Sequence, residues 1–386
     1  MDHNSIQMFF ALLRSAVRGT KLSQHERGGC SDEQLRALLN LSVKQDVAHL
    51  LVLGLKQNGL ISKENKQIEG HIFKAAFRYE RLNCEYEALC TTLEQAKIPF
   101  LPLKGAVLRN YYPEAWMRTS CDIDVLVHRE DLDAAISCLS KKLQCVEKER
   151  TTHDVSLFSP RGIHIELHFD LVEEGRAKDA IAVLSHVWEN VFLQKDCESW
   201  YEMSDTFFYF YHIAHMAKHF EGGGCGVRPF IDLWILDHME GADLRSRDEL
   251  LVKGGLLKFA SVCRDLSNAW FGQGKLNSVT FQMQEFLLRS GIYGSTDNRV
   301  LLQQRKKGGR IGFFFSRMFI PYSKLKRYYP ILEKHPYLMP VMQIRRWFML
   351  LNPNIAAMAK REMKVNRKLD KSVSDKMSAF LDCIGL

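Results

Sequence analysis

A chain of 386 residues, 46% hydrophobic and 25% charged with a net charge of +8, has the composition of an ordinary globular protein and room for two or three cores. It has no run of about 18 apolar residues, which excludes a membrane-spanning helix, and Met1-Asp2-His3-Asn4-Ser5 lacks the basic and apolar regions of a secretory signal. Ten scattered cysteines without a Cys-x-x-Cys pair, several in apolar contexts (Cys84, Cys90, Cys138, Cys263), read as reduced thiols of a cytoplasmic protein and argue against a disulfide framework or zinc site.

Residues 5–97 read as helical. Phe9, Phe10, Leu12, Leu13 and Val17 form one apolar stripe, and Leu35, Leu38, Leu39 and Val43 form another, interrupted at its edge by Ser42. Between them, Gly28-Gly29-Cys30-Ser31-Asp32 is a loop ending in an N-cap. A longer helix over about 66–97 is predicted to turn Phe73, Ala76, Phe77, Leu82 and Leu89 inward. The pattern changes at Ile98. Pro99-Phe100-Leu101-Pro102-Leu103 reads as a strand leading into Lys104-Gly105, and 106–112 as a helix stopped near Pro113. An apolar strand around Asp122, an amphipathic helix over 130–143, and alternating strands at 155–158 and 163–169 follow; Ser159-Pro160-Arg161-Gly162 supplies the turn between the last two.

From Ala177 onward the reading is helical again. Helices at 206–220 and 228–239 flank the flexible loop Gly222-Gly223-Gly224-Cys225-Gly226. A basic, glycine-containing break at 305–312 precedes alternating basic and aromatic residues up to Trp347. The expected fold is α+β and helix-rich: a helical region at 1–97, a small mixed-sheet α/β core at 98–172, a helical domain at 173–300, and a basic, aromatic-rich helical region at 301–386. Residues 300–371 hold 17 Lys and Arg against Glu333, Glu362 and Asp370, so an anionic partner is expected there. The run Phe313-Phe314-Phe315-Ser316-Arg317-Met318-Phe319, followed by Lys324, Lys326, Arg327, Tyr328 and Tyr329, suits single-stranded RNA or a membrane surface. A basic helical layer packing its aromatics onto the rest of the protein is the simpler alternative.

Candidate chemistry sits in the α/β core. In a strand, residues i and i+2 share a face, so Asp122 and Asp124 of Cys121-Asp122-Ile123-Asp124-Val125 point the same way. Two like charges in an apolar run are costly unless a cation lies between them; a strand end reaching water is the alternative. In Ile163-His164-Ile165-Glu166-Leu167-His168-Phe169, alternation puts His164, Glu166 and His168 on one face, with Asp170 extending it as a fallback acid. Pairing of this strand beside Asp122 would add Glu166 as a third carboxylate. Three such acids can hold Mg²⁺ ions that clamp a transferring phosphoryl group, with Glu166 placed to accept a proton.

Lys104-Gly105, about 17 residues before the acids, offers backbone N–H groups and a point charge to a phosphate. Arg118 would hold a phosphate or brace the acids, or be a solvated loop residue. His212, His215 and His219 share a helix face as metal ligands, an acceptor-facing wall or plain packing, and Lys218 either reaches a phosphate or is solvated.

The run Leu103-Lys104-Gly105-Ala106, then Arg118, then Asp122-Ile123-Asp124-Val125-Leu126-Val127, then Ile165-Glu166-Leu167-His168 resembles the poorly characterised bacterial family NTP_transf_5, of the DNA polymerase β-like nucleotidyltransferase superfamily. That superfamily has a Gly-Gly or Gly-Ser helix start, an acidic-x-acidic strand and a later single acid. Gly105, Asp122, Asp124 and Glu166 match it; Ala106 and the Glu at the third position depart from it. The resemblance extends more loosely to His215-Met216-Ala217-Lys218-His219, Arg228-Pro229-Phe230-Ile231-Asp232, Pro321 and the 329–336 segment.

The resemblance implies transfer of a nucleoside monophosphate from an NTP to a hydroxyl acceptor with release of pyrophosphate. Mg²⁺, or Mn²⁺, would sit on Asp122, Asp124 and Glu166, which are also the catalytic residues, and the nucleotide on Lys104, Gly105, Arg118 and Lys218. The acceptor stays open among sugar, lipid-linked glycan, protein side chain and RNA. Competing readings are a non-catalytic binding or scaffold protein on the same fold, and RNA-directed transfer through the basic C-terminal region.

Overall fold

The computed structural model describes residues 2–23, 26, 30–61, 66–172, 178–289, 291, 296–368 and 371–386. Gly28, Gly29, Ala177 and the expected boundary at 173 lie outside them. The chain divides into two units, Met1–Lys218 with Val227–Gln284, and His219–Gly226 with Glu285–Leu386.

The first unit opens with α1 (His3–Arg18), N-capped by the Asp2 carboxylate, which accepts from the Ser5 N–H at 2.8 Å. Its predicted stripe, Phe9, Phe10, Leu12, Leu13 and Val17, is buried. Ser31 and Gln34 form a reciprocal capping box at the start of α2 (Asp32–Lys44). The buried face of α2 is Leu38, Leu41 and Ser42, while Val43 is 56% exposed. The Ser42 hydroxyl donates to the Leu39 carbonyl at 2.8 Å, so it is satisfied inside its own helix and can enter the core. Helix α3 (Ala48–Gln57) packs against α1 at Gly54, where a Cβ would fall 2.3 Å from the Leu12 carbonyl oxygen.

Helix α4 (Lys66–Gln95) buries Leu82, Leu89, Cys90 and Leu93, as its period requires. Its first half departs from expectation: Phe73 and Phe77 are 72% and 55% exposed and stack on each other, and Ala75 is the buried residue there. Among the described residues the cysteines are free; Cys90 and Cys263 are buried, whereas Cys84 is exposed on α4.

The core follows. Strand β1 (Phe100–Pro102) runs into a single α-helical turn, α5 (Gly105–Leu108), and a 3-10 turn at 109–111, in place of one continuous helix. Then come β2 (Asp122–Val127), α6 (Leu132–Leu143), β3 (Val146–Arg150), β4 (Asp154–Phe158) and β5 (His164–His168). Among the described residues these strands form a five-stranded sheet in the order β1-β2-β5-β4-β3, with β2 and β5 parallel and the other pairs antiparallel. One face, with Ile123, Val125, Val127, Val155, Leu157, Ile165 and Leu167, packs against Leu82, Leu89 and Leu93 of α4 and Leu132, Ala135 and Leu139 of α6. Each of these Val, Leu and Ile side chains contributes roughly 1.5–3 kcal/mol by leaving water. The other face carries the acids. Strand β3 carries no sequence signal, because all five of its residues are exposed and four are charged; it is a charged edge, which resists pairing with other chains.

Beyond the sheet lie α7 (Lys178–Leu184), β6 (Val191–Leu193), β7 (Tyr201–Met203), α8 (Asp205–Glu221), α9 (Arg228–Asp237), α10 (Leu244–Lys253), α11 (Leu257–Phe271) and α12 (Ser278–Arg289). The β6–β7 pair interrupts a region expected to be helical throughout. Its residues are too few to show alternation, and it is secured beside β1 by the Phe100 N–H donating to the Ser199 carbonyl at 2.9 Å.

The second unit contains α13 (Thr296–Lys306), α14 (Arg310–Met318), α15 (Tyr322–Tyr328), α16 (Ile331–Lys334), α17 (Met339–Trp347), α18 (Pro353–Lys368) and α19 (Lys371–Ile384). Phe220, Phe286 and Phe380 meet at ring distances of 4.6 to 6.3 Å, and Leu325, Leu332 and Met342 form a second small core. The basic break narrows to 307–309, where Gly308 and Gly309 take positive φ. The glycine loop expected to be flexible is tied by the Gly222 and Gly223 N–H groups donating to the His219 and Phe220 carbonyls, and Cys225 is buried. The whole is a helix-rich α+β fold with a small mixed sheet, and among the described residues no helix is long and apolar enough to cross a membrane.

Candidate functional site

Parallel pairing of β2 with β5 sets Asp122 opposite His164 and Asp124 opposite Glu166, all on the face away from the core. Ligand atoms of Asp122, His164 and Glu166 lie within 4.8 Å of one another, and so do those of Asp124, Glu166 and His168. Asp124 is buried, while Asp122 and Glu166 are half-buried. Asp124 Oδ1 accepts from Lys104 Nζ at 2.6 Å and lies 3.0 Å from His168 Nε2. His168 Nε2 is also 3.4 Å from Glu166 Oε2, so the imidazole bridges two acids.

The electrostatics divide the acids. Burial pushes Asp124 upward, but the Lys104 ammonium and His168 outweigh it and hold the carboxyl well below the usual range. Asp122 is raised, by burial first and then by the like charges of Asp124 and Glu166, against partial relief from Lys104 and Arg228. Burial lowers Lys104 and His168, yet both end raised: Lys104 by the Asp124 charge, His168 by its hydrogen bonds to Asp124 and Glu166. Negative charge therefore remains in excess around Asp122, where a cation would relieve it.

Lys104 stands at the strand-to-helix turn with φ +45° and ψ −117°, a conformation that an L residue rarely adopts. Space is tight at Gly105: a Cβ there would lie 2.1 Å from Ser120 Oγ, so that hydroxyl would have to turn aside, and 3.7 Å from Arg118 Nη1. Arg118 is turned into the protein. Its Nε donates to Asp232 Oδ1 at 2.7 Å, and its Nη1 donates to the Thr119 carbonyl at 2.7 Å. Tyr112 donates to the same Asp232 oxygen at 2.7 Å, and Arg228 Nη1 donates to Asp46 Oδ2 and the Thr119 carbonyl at 2.9 and 3.0 Å. Arg228 and Asp232, one turn apart on α9, thus clamp the loop that delivers β2.

Lys218 is half-buried on α8, two helical turns from Tyr211, whose hydroxyl is near enough to Lys104 to raise it. His212 is committed to packing, with Nε2 3.0 Å from the Pro229 carbonyl and its pKa lowered by burial. Asp170 pairs with Arg129 at 3.4 Å. The structure thus joins Lys104, Gly105, Asp122, Asp124 and Glu166 in one cluster and places Arg118 directly behind it. Sequence reasoning included Arg228 and Asp232 only as a looser extension of the resemblance and missed Asp46 and Tyr112, which come from distant segments; His168 lies on the face that alternation with Glu166 gave it.

Two overlapping groups that share Glu166, each of two carboxylates and one imidazole, offer donors of the kind that Mg²⁺ or Mn²⁺ accepts. The acidic-x-acidic strand, the neighbouring strand that carries the third acid and the Gly turn beside them agree with the pattern that the resemblance implies. The chain belongs to the uncharacterised nucleotidyltransferase family NTP_transf_5, whose model matches residues 31–272. Membership places it with nucleotidyl transfer in general and with an NTP as the substrate class. No curated protein and no solved structure matches the chain.

Proposed function

We propose that the protein is a metal-dependent nucleotidyltransferase that moves a nucleoside monophosphate from an NTP to a hydroxyl acceptor and releases pyrophosphate. The observation that carries this reading is the register of β2 on β5, which sets Asp124 opposite Glu166 with Asp122 on the same face. Asp122, Asp124 and Glu166 would hold Mg²⁺ or Mn²⁺, which supplies charge neutralisation at the triphosphate and the leaving pyrophosphate. Lys104 and the Gly105 N–H take the phosphates. Arg118 keeps the Gly105 turn in place from behind, and Lys218 reaches the nucleotide from α8. The acceptor oxygen attacks the α-phosphorus, the bond to the pyrophosphate oxygen breaks, and the acceptor's proton passes to Glu166, which His168 orients. Catalysis by this route is positioning and electrostatics.

The test is incubation with labelled NTPs and host-cell extract, followed by identification of the labelled product. Asp122→Asn and Glu166→Gln are each expected to lower labelling by about 10²- to 10³-fold. Metal-dependent labelling equal to wild type in both would end the assignment. One observation favours a second reading, a nucleotide-binding protein without turnover: Lys104 already neutralises Asp124 at 2.6 Å. Calorimetry separates the two, because Mg²⁺-dependent NTP binding with no labelled product supports the second.

A further inference from the structure

Helix α14 is built the wrong way round for a helix on a globular protein. Phe313 is its fully buried residue, and Arg317 beside it pairs with Glu362 at 3.0 Å. Met318 is half-buried, and the other large apolar residues face solvent: Ile311, Phe314 and Phe315 are 73%, 42% and 54% exposed, and Phe319 just beyond the helix is 51% exposed. Their spacing is that of a single apolar stripe. Helix α17 repeats the arrangement, burying Met342 and Gln343 while Val341, Ile344 and the following Phe348 are 55%, 52% and 64% exposed. The two stripes adjoin: Trp347 Nε1 donates to the Met318 carbonyl at 2.9 Å, and the Phe319 and Trp347 rings are 5.6 Å apart. An exposed apolar patch of this extent marks an interaction site.

Charge says what covers it. Arg310 opens the α14 stripe, Lys324 is exposed on α15, and Arg345 is exposed beside Ile344. Glu333 is the single acid in the sequence between Arg310 and Arg361. Apolar stripes rimmed by cations match the acyl–headgroup boundary of an anionic bilayer. Nucleic acid is the poorer fit. Bases need successive ring faces, and although Phe315 and Phe319 lie near parallel at 19°, Phe314 with Phe315 and Phe319 with Trp347 meet edge to face at 77° and 74°, while the exposed Ile311, Val341 and Ile344 offer no ring at all. We infer that the second unit binds an anionic lipid surface peripherally through the outward stripes of α14 and α17. The residues matched to the family end at 272, so this surface lies outside that match.

The experiment is flotation of the full chain with vesicles of phosphatidylcholine alone and of phosphatidylcholine mixed with an equal amount of phosphatidylglycerol. Wild type is expected to float with the mixed vesicles, less at high salt, and brominated acyl chains are expected to quench Trp347 fluorescence, a loss absent in Trp347→Phe. Phe315→Ser with Phe348→Ser should lower partitioning by at least about tenfold. Arg310→Glu, Lys324→Glu and Arg345→Glu together should lower it by about a hundredfold. Arg310, Phe315, Lys324, Arg345 and Phe348 are exposed, and unchanged circular dichroism and labelling activity would show that the variants, Trp347→Phe included, fold. Several outcomes overturn the inference: no flotation of wild type, flotation that the variants leave unchanged, oligouridine binding abolished by the same variants without vesicle binding, or a dimer that the Phe variants dissociate.

Discussion

Lys104 is held in a backbone conformation that costs an L residue on the order of 1–3 kcal/mol, with φ at +45°. Its ammonium sits 2.6 Å from a buried carboxylate. The two observations belong together, because the turn aims the side chain back at Asp124. Removing the charge leaves Asp124 buried with His168 alone, which is expected to cost about 3–5 kcal/mol in Lys104→Met. Lys104→Gly loses the same charge but relaxes the turn, so it should be less destabilised than Lys104→Met by about 1–3 kcal/mol. Urea unfolding of both variants measures this; a Lys104→Met midpoint equal to wild type would show that the pair adds nothing. The pairing itself was not legible. A lysine before a glycine at a helix start reads as a phosphate ligand, and a partner 20 residues away becomes visible only when β1 and β2 lie side by side. The acid face was legible, because strand alternation is local and pairing in register preserves it.

At the scale of elements, legibility followed length and burial. Helices α1, α8 and α9 and the β4–β5 hairpin carry enough periodic residues to declare themselves. Strand β3 has no buried face, β6 and β7 have three residues each, and the first half of α4 exposes the two phenylalanines that its period would send inward. Two inter-element contacts yield predictions. A Cβ on Gly105 would lie 2.1 Å from Ser120 Oγ, so Gly105→Ala should push that hydroxyl aside, disturb the turn and raise the KM for NTP while the protein stays folded; unchanged kinetics would free the turn of that role. Helix α3 is fastened to the loop before β2 by His49 Nε2, 2.8 Å from the Met117 carbonyl, and burial lowers this imidazole to about 4. Between its ordinary value near 6.5 and about 4, the unfolded chain binds the proton and the folded one does not. Stability contributed by the neutral ring is therefore intact above about pH 6.5 and is lost as the pH falls toward 4, on the order of 3 kcal/mol in all. Thermal unfolding between pH 4 and 7 should show that slope in wild type and a shallower one in His49→Gln.

For the whole molecule, charge and chemistry are segregated. The acids, Lys104 and the α9 clamp lie in the first unit, and the basic, apolar-faced helices lie in the second. A ligand that binds only the folded state stabilises the unit that holds its site, by about 2.7 kcal/mol at a hundredfold excess over Kd. Chains with two units need not unfold in one step, so the linkage has a direction that calorimetry can read. Adding Mg²⁺ should raise the transition carrying the first unit by about 5 °C and leave that of the second unchanged. Asp122→Asn should abolish the shift, because burial and then the like charges of Asp124 and Glu166 raise this carboxylate and a cation would relieve it. Its melting temperature without the cation should then equal or exceed that of wild type, since removing one of three converging negative charges removes repulsion. A Mg²⁺ shift common to both transitions, or one that survives in Asp122→Asn, would detach the cation from the β2–β5 face.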